Sequence, residues 1–311
     1  MFQHLLNNSV ADSTNKNYGN AISLYTHFAN THNMPLPPYI STTDLQWFIA
    51  TLHAQNYAVA TVKAYVSGIA HYCKLHGQPD PSNFWSIRKG CEGSRRLSYT
   101  HKDPRLPITA DILSKIVDSL PHVATNEYEQ TLFTSAFLMA YFGLLRVSEL
   151  TTTIQTMQTN INRVLWINDL KINHKEVTIR LKQTKTNQAG HPIILALQAI
   201  PGSKLCPVNA MAKFIVARPL KQGPLLCHID NSPLTPYQFT AVLTKCLVAA
   251  KVPQSHLYKA HSFRIGCASQ AANNSIPDCD IKKYGRWAEE SYAYKSYIRT
   301  PSSRLLSKIC K

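Results

Sequence analysis

The sequence predicts a mainly α-helical protein with one small antiparallel β-sheet, split into a helical first domain and a larger α+β second domain. Three observations carry this. Apolar residues recur at spacings of three and four along most of the chain. Between residues 163 and 197 the pattern shortens and β-branched residues cluster. A polar, proline-bearing stretch without periodicity, residues 94–107, lies between the two parts. At 311 residues and 44% hydrophobic content, the chain can build ordinary buried cores in about two domains.

The elements follow in order. From Ser13 to His32, Tyr18, Ala21, Ile22, Tyr25, Phe28 and Ala29 make one helical face, which Pro35, Pro37 and Pro38 terminate. Ser41 to Gln55 is a second helix, with Thr42 or Thr43 as its N-cap and Leu45, Phe48, Ile49 and Leu52 on its apolar side. Ala60 to Leu75 is a third, with Val62, Tyr65, Val66, Ile69 and Tyr72, and a short helical piece spans Phe84 to Cys91. Residues 1–93 therefore read as the helical domain, 94–107 as a basic linker and 108–311 as the second domain.

In the second domain Thr109 begins a helix through Leu120. Glu127 to Glu149 reads as one long helix, apolar nearly all round and hence central. Strands are expected at Val164–Ile167, Glu176–Leu181 and Pro192–Leu195. Helices resume at Val208–Ala217, Thr235–Ala250, His261–Asn273, Asp278–Tyr284 and Ser291–Ile298, with a last short one near Ser303–Cys310.

With 33 Lys and Arg against 17 Asp and Glu, the formal net charge is +16, carried on only 16% charged residues. Residues 101–311 hold 26 of the basic and 13 of the acidic side chains. That balance points to a polyanionic partner, nucleic acid before membrane. The 8 cysteines show no C-x-x-C pair, which suits neither a disulfide framework nor a zinc module and leaves reduced thiols in an intracellular protein as the default. No run of about 18 apolar residues and no secretory leader pattern is present.

Several polar groups interrupt otherwise apolar helices in the basic second domain: Arg146, His261 and Arg264, with Trp287 and tyrosines 292, 294 and 297 downstream. Taken singly, Arg146 with Glu149 is an ordinary i,i+3 ion pair, His261 with Arg264 a solvated helix face, and Tyr297 an ordinary interface aromatic. Taken together they are the groups that a phosphodiester needs during displacement. Arginine donates in a planar fork to the non-bridging oxygens, donors fixed in advance stabilise the developing charge, and a tyrosine hydroxyl can attack.

The strings Gly143-Leu-Leu-Arg146-Val-Ser-Glu149-Leu, Gln183-Thr-Lys185-Thr, Ala260-His261-Ser-Phe-Arg264-Ile-Gly266, Tyr284-Gly-Arg-Trp287 and Tyr297-Ile-Arg299 resemble, in order, the catalytic boxes of the tyrosine recombinase (phage integrase) family. Ser13-Thr-Asn-Lys-Asn-Tyr18 and Ala60-Thr-Val-Lys-Ala-Tyr-Val-Ser-Gly-Ile69 resemble that family's SAM-like helical core-binding domain. Trp287, where many bacterial members have a second histidine, and the Tyr-Ile-Arg ending look more like the Cre-type phage recombinase and the integrases of eukaryotic mobile elements of the Crypton and DIRS kind.

The resemblance implies a site-specific DNA recombinase that works through a 3′-phosphotyrosyl link, without metal, ATP or other cofactor. In it Tyr297 is the nucleophile, Arg146 and Arg264 clamp the phosphate, and Lys185 is the general acid. His261 assists proton removal, Trp287 packs and donates to the phosphate, and Glu149 orients Arg146. Tyr294 is the alternative nucleophile and Lys182 the alternative to Lys185. Arg88, Lys89, Arg95, Arg96, Lys102 and Arg105 are expected to meet backbone phosphates of double-stranded DNA. The implied assembly is a homotetramer on paired DNA sites, monomeric or weakly associated when free, with no membrane partner. It would act in the nucleus of a eukaryotic host and in the cytoplasm otherwise. A non-cleaving DNA-binding descendant and a type IB topoisomerase are the competing readings.

Overall fold

Capping residues and prolines set the helix boundaries of the first hundred residues. The computed structural model describes residues 1–7, 9–98, 103–184, 191–219 and 222–299, and the chain divides into two units, Met1–Asp103 and Pro104–Lys311. The first holds α1 (Phe2–Asn7), α2 (Asp12–His32), α3 (Thr42–Ala54), α4 (Val59–Leu75) and α5 (Trp85–Leu97). Helix α2 stops where Asn33 takes a φ of +50° and donates its N–H back to the Ala29 carbonyl. The cap of α3 is Ser41 rather than Thr42 or Thr43. Asp44, three residues on, returns the hydrogen bond to the Ser41 N–H at 3.0 Å and closes a capping box.

Tyr25, Phe28, Leu45, Phe48, Ile69 and Ile87 meet in the core of this unit, with the Tyr25 and Phe48 rings edge-to-face at 5.3 Å. The fourth predicted helix runs on to Leu97, so residues 94–97 are its last turn and not linker. What holds that turn is tertiary: Ser94 is buried and its hydroxyl meets His53 Nδ1 at 3.0 Å.

The second unit contains α6 (Ala110–Val123), α7 (Glu127–Phe142), α8 (Val147–Leu150), α9 (Ile154–Thr159), β1 (Leu170–Ile172), β2 (Glu176–Leu181), β3 (Ile193–Gln198), α10 (Pro207–Ala217), α11 (Pro236–Ala249), α12 (His261–Asn273) and α13 (Asp278–Gly285). A short 3₁₀ helix, Ala293–Tyr297, stands where a helix over Ser291–Ile298 is predicted. The predicted helix near Ser303–Cys310 lies outside the described residues. Helix α7 is central, as its all-round apolar pattern requires, and packs against α6, α10, α11 and α12. Its Phe137 ring stands 5.0 Å from Phe239 and 5.4 Å from Phe263.

Two expectations are corrected here. The single helix Glu127–Glu149 ends at Phe142, because Leu144 takes a left-handed φ of +42° and the Leu145 N–H bonds back to the Ala140 carbonyl at 3.2 Å. Val164–Ile167 is not a sheet strand. It pairs briefly with residues 223–225, where Pro224 offers no N–H to extend a ladder. The sheet is antiparallel in the order β1-β2-β3, with Val177 opposite Leu197 and Ile179 opposite Leu195. Val177, Ile179 and Leu181 point inward on alternate positions and join the core around α7. Among the described residues no helix is long and apolar enough to cross a membrane.

Candidate active site

Four chain segments of the second unit supply the site: the 143–146 loop with α8, helix α12, the end of α13, and the 3₁₀ helix. At the start of α8, Glu149 accepts from the Arg146 backbone N–H at 2.9 Å and from Arg146 Nη1 at 2.8 Å. On its other side it accepts from Arg286 Nη2 at 2.9 Å. Burial pushes this carboxyl up, but Arg286 first and then Arg146 outweigh that and hold its pKa below the usual carboxylate range. A buried carboxylate between two guanidiniums stays ionised and keeps Arg146 in one orientation.

Arg286 is the residue that sequence reasoning missed. It stands in a left-handed conformation, φ +59°, at the end of α13. There its guanidinium turns inward and also donates to the carbonyls of Gly143 and Leu144 at 3.0 and 2.9 Å. A cation just past a helix C-terminus reads from sequence as an ordinary complement to the helix dipole, so only its position within Gly-Arg-Trp could have flagged it.

Arg264, on the first turn of α12, is 1% exposed. Its Nη1 donates to the Leu144 carbonyl and its Nη2 to the Gly285 carbonyl. The Nε N–H has no acceptor among the described residues. Burial first, then repulsion from Arg146 and Arg286, push this guanidinium down to about 9, which still leaves it charged at neutral pH. The approach of α12 depends on Gly266: a Cβ there would overlap the backbone of Ile108, whose N–H donates to the Ser262 carbonyl at 3.0 Å. Gly285 has a parallel role, since a Cβ would overlap the Trp287 ring.

Trp287 is nearly buried, and its ring lies over Arg264, 4.1 Å from the guanidinium carbon. Tyr297 is half-buried, its ring 5.2 Å from Trp287, 5.4 Å from the Arg264 guanidinium carbon, and stacked on His261 at 6.3 Å. Tyr294 is otherwise engaged. It is 2% exposed, and its hydroxyl donates to the Asp278 carboxylate, a bond that with burial pushes its pKa up to about 12. The structure thus brings Arg146, Glu149, His261, Arg264, Trp287 and Tyr297 together and turns Tyr294 away.

In sequence, the chain is 23% identical over 299 residues to an integrase/recombinase XerD homolog of Selenomonas ruminantium, a match spanning 93% of this chain and 82% of that protein. In sequence the chain thus resembles a recombinase of the integrase kind. No family model matches it. Its fold is shared with the XerH site-specific recombinase bound to palindromic difH substrate in a post-cleavage complex, at TM-score 0.62 and 15% identity over 93% of this chain and 76% of that one. A lambda integrase dimer bound to a COC′ core site gives TM-score 0.60 and 14% identity over 96% of this chain and 75% of that one.

Two expected contributors to the site, Lys185 and Lys102, lie outside the described residues. Lys182, the alternative to Lys185, is committed to Asp169 at 2.8 Å. Arg88, Lys89, Arg95 and Arg96 are exposed on α5, where Lys89 and Arg96 each hold Glu92, at 2.9 and 2.8 Å. Arg105 is half-buried near the start of the second unit. Among the described residues no group of three His, Cys, Asp or Glu side chains forms a metal site.

Proposed function

We propose that this protein is a tyrosine recombinase that cuts and rejoins duplex DNA at defined sites through a covalent 3′-phosphotyrosyl intermediate on Tyr297. One observation carries the reading: three guanidiniums, Arg146, Arg264 and Arg286, gather around one carboxylate, Glu149, beside a tyrosine and a histidine. Buried positive charge without an equal number of counter-ions is costly, and a phosphodiester supplies the missing anion. The Arg264 Nε N–H, which has no acceptor among the described residues, is a further donor for it.

In the reaction the Tyr297 oxygen bonds to phosphorus as the bond to the 5′ oxygen breaks. The phenol proton passes to His261 and Lys185 gives a proton to the departing 5′ oxygen, leaving a free 5′-hydroxyl. Arg146 and Arg264 hold the non-bridging oxygens as charge builds, and Trp287 packs against the clamp. Religation reverses each step, so the ester energy is kept in the covalent link. The first unit serves as the core-binding domain, with exposed α5 arginines and lysines on phosphates.

Assembly as a homotetramer on paired sites has its own support. A cavity of about 590 Å³, lined mainly by apolar side chains such as Ile193, Leu195, Ala271, Ile276 and Ile281, adjoins the site. The apolar Leu305, Leu306 and Ile309 of the C-terminal tail suit such an acceptor on a neighbouring protomer. Trp287 and the Tyr297-Ile298-Arg299 ending support the mobile-element branch within that reading. The recombinase acts where its DNA lies, the nucleus of a eukaryotic host or the cytoplasm otherwise.

Covalent trapping tests the function. Purified protein is mixed with nicked duplexes carrying the genomic flanks of its own coding sequence, and adducts that survive hot SDS are digested and mapped by mass spectrometry. The expected adduct is on Tyr297 and is absent in Tyr297→Phe. An adduct on Tyr294 would move the nucleophile. Tight, salt-sensitive binding with no adduct would replace cleavage by DNA binding alone.

A further inference from the structure

The five-residue 3₁₀ helix that carries Tyr297 is too short to hold a nucleophile by its own hydrogen bonds. The rings of Trp287 and His261 flank Tyr297 at 5.2 and 6.3 Å, but ring faces allow sliding and fix no depth. A directional hold comes from α12. Ser269, five positions beyond Arg264 and 5% exposed, donates its hydroxyl to the Tyr297 carbonyl at 3.2 Å and accepts the Arg299 N–H at 2.8 Å. One side chain thereby spends both its donor and its acceptor on the two residues either side of Ile298. Ile298 itself packs on the apolar cluster of Leu144, Ala268, Ile281 and Trp287.

We propose that Ser269 is a positioning residue for the nucleophile, setting Tyr297 in register with the phosphate clamp. The inference rests on the reading of Tyr297 as the attacking group. Its physical basis is that Arg264, His261 and Ser269 share one helix, in which five residues span about 7.5 Å along the axis. A rigid helix carrying both the clamp and the latch fixes the distance from phenol to phosphorus, whereas the 3₁₀ turn alone does not. Attack requires near-contact alignment, and an error of about an ångström costs about 10²-fold in rate.

The test compares Ser269→Thr with Ser269→Val, two β-branched side chains of similar volume that differ in a hydroxyl, so packing effects cancel in the comparison. Single-turnover adduct formation on the nicked duplexes is measured beside duplex affinity and Tm. Thr is expected to stay within a few-fold of the parent and Val to fall about 10²-fold in cleavage rate, with equal duplex affinity for the pair and a Val Tm lower by only the few degrees that the lost hydrogen bonds cost. Equal cleavage by Thr and Val overturns the proposal, as does a loss in Val that follows a loss of affinity or a fall in Tm that leaves the variant unfolded at the assay temperature. If the parent protein forms no adduct at all, the reading of Tyr297 fails and Ser269 falls with it. If the parent does form the adduct, the reaction stands and only the latch is on trial.

Discussion

Arg264 combines two roles that its environment makes inseparable. It ties the Leu144 and Gly285 carbonyls together, and under the Trp287 ring its Nε donor has no acceptor among the described residues. Replacing it by lysine keeps a positive charge but removes the planar fork. The expected outcome for Arg264→Lys and Arg264→Ala is a loss of at least about 10²-fold in adduct formation, because donors aimed at developing charge act on the transition state. Duplex affinity, measured by titration, should change little, since that interaction is realised mainly as charge develops. Unchanged cleavage in either variant would remove Arg264 from the site. The site was legible at this scale where a residue type announces its chemistry, as with Arg146, His261 and Tyr297. Arg286 and Ser269 were not, because a cation past a helix end and a serine within a helix are ordinary until the fold turns them inward.

At the scale of elements, the site depends on backbone approach. Gly266 lets α12 lie against the Ile108 backbone, and any Cβ there must displace it. Gly266→Ala is expected to cost about 1 to 3 kcal/mol, seen as a Tm lower by several degrees in thermal unfolding. An unchanged Tm would show that the 106–108 segment yields without cost. A second element-level device is His228, on the segment following α10. Its Nδ1 meets Glu129 of α7 at 2.8 Å, and the hydrogen bond to Glu129, more than burial opposes, holds its pKa above the ordinary histidine value. A raised pKa in the folded state means the pair's stabilisation is full below the ordinary value near 6.5 and is lost as pH rises through the folded one. The Tm gap between the parent and His228→Gln should therefore narrow between pH 6 and pH 9 at constant ionic strength; a gap independent of pH would show that His228 does not titrate there. The helix and sheet periods were plain in the sequence. The break after Phe142 was not, because a leucine in a left-handed conformation has no sequence signature. What holds it is the pair of guanidiniums from Arg264 and Arg286 on its carbonyl, which arrive from α12 and the end of α13.

For the whole molecule, the net charge of +16 should appear as salt dependence. With six to ten phosphates neutralised, duplex affinity is expected to fall by about 10³-fold or more between 50 and 200 mM salt through counterion release. A flat response in a salt titration would count against duplex binding. The sequence alone determined the mainly helical class, the small sheet, the basic character of the second part and the order of the reactive boxes, because periodicity, residue chemistry and charge are local properties of the chain. Only the tertiary structure decided that Tyr297 faces the arginines while Tyr294 is held by Asp278, that Lys182 belongs to Asp169, and that Arg286 completes the cationic cluster. Those choices are made by partners far apart in sequence, whose meeting depends on how α8, α12 and α13 pack around the 143–146 loop.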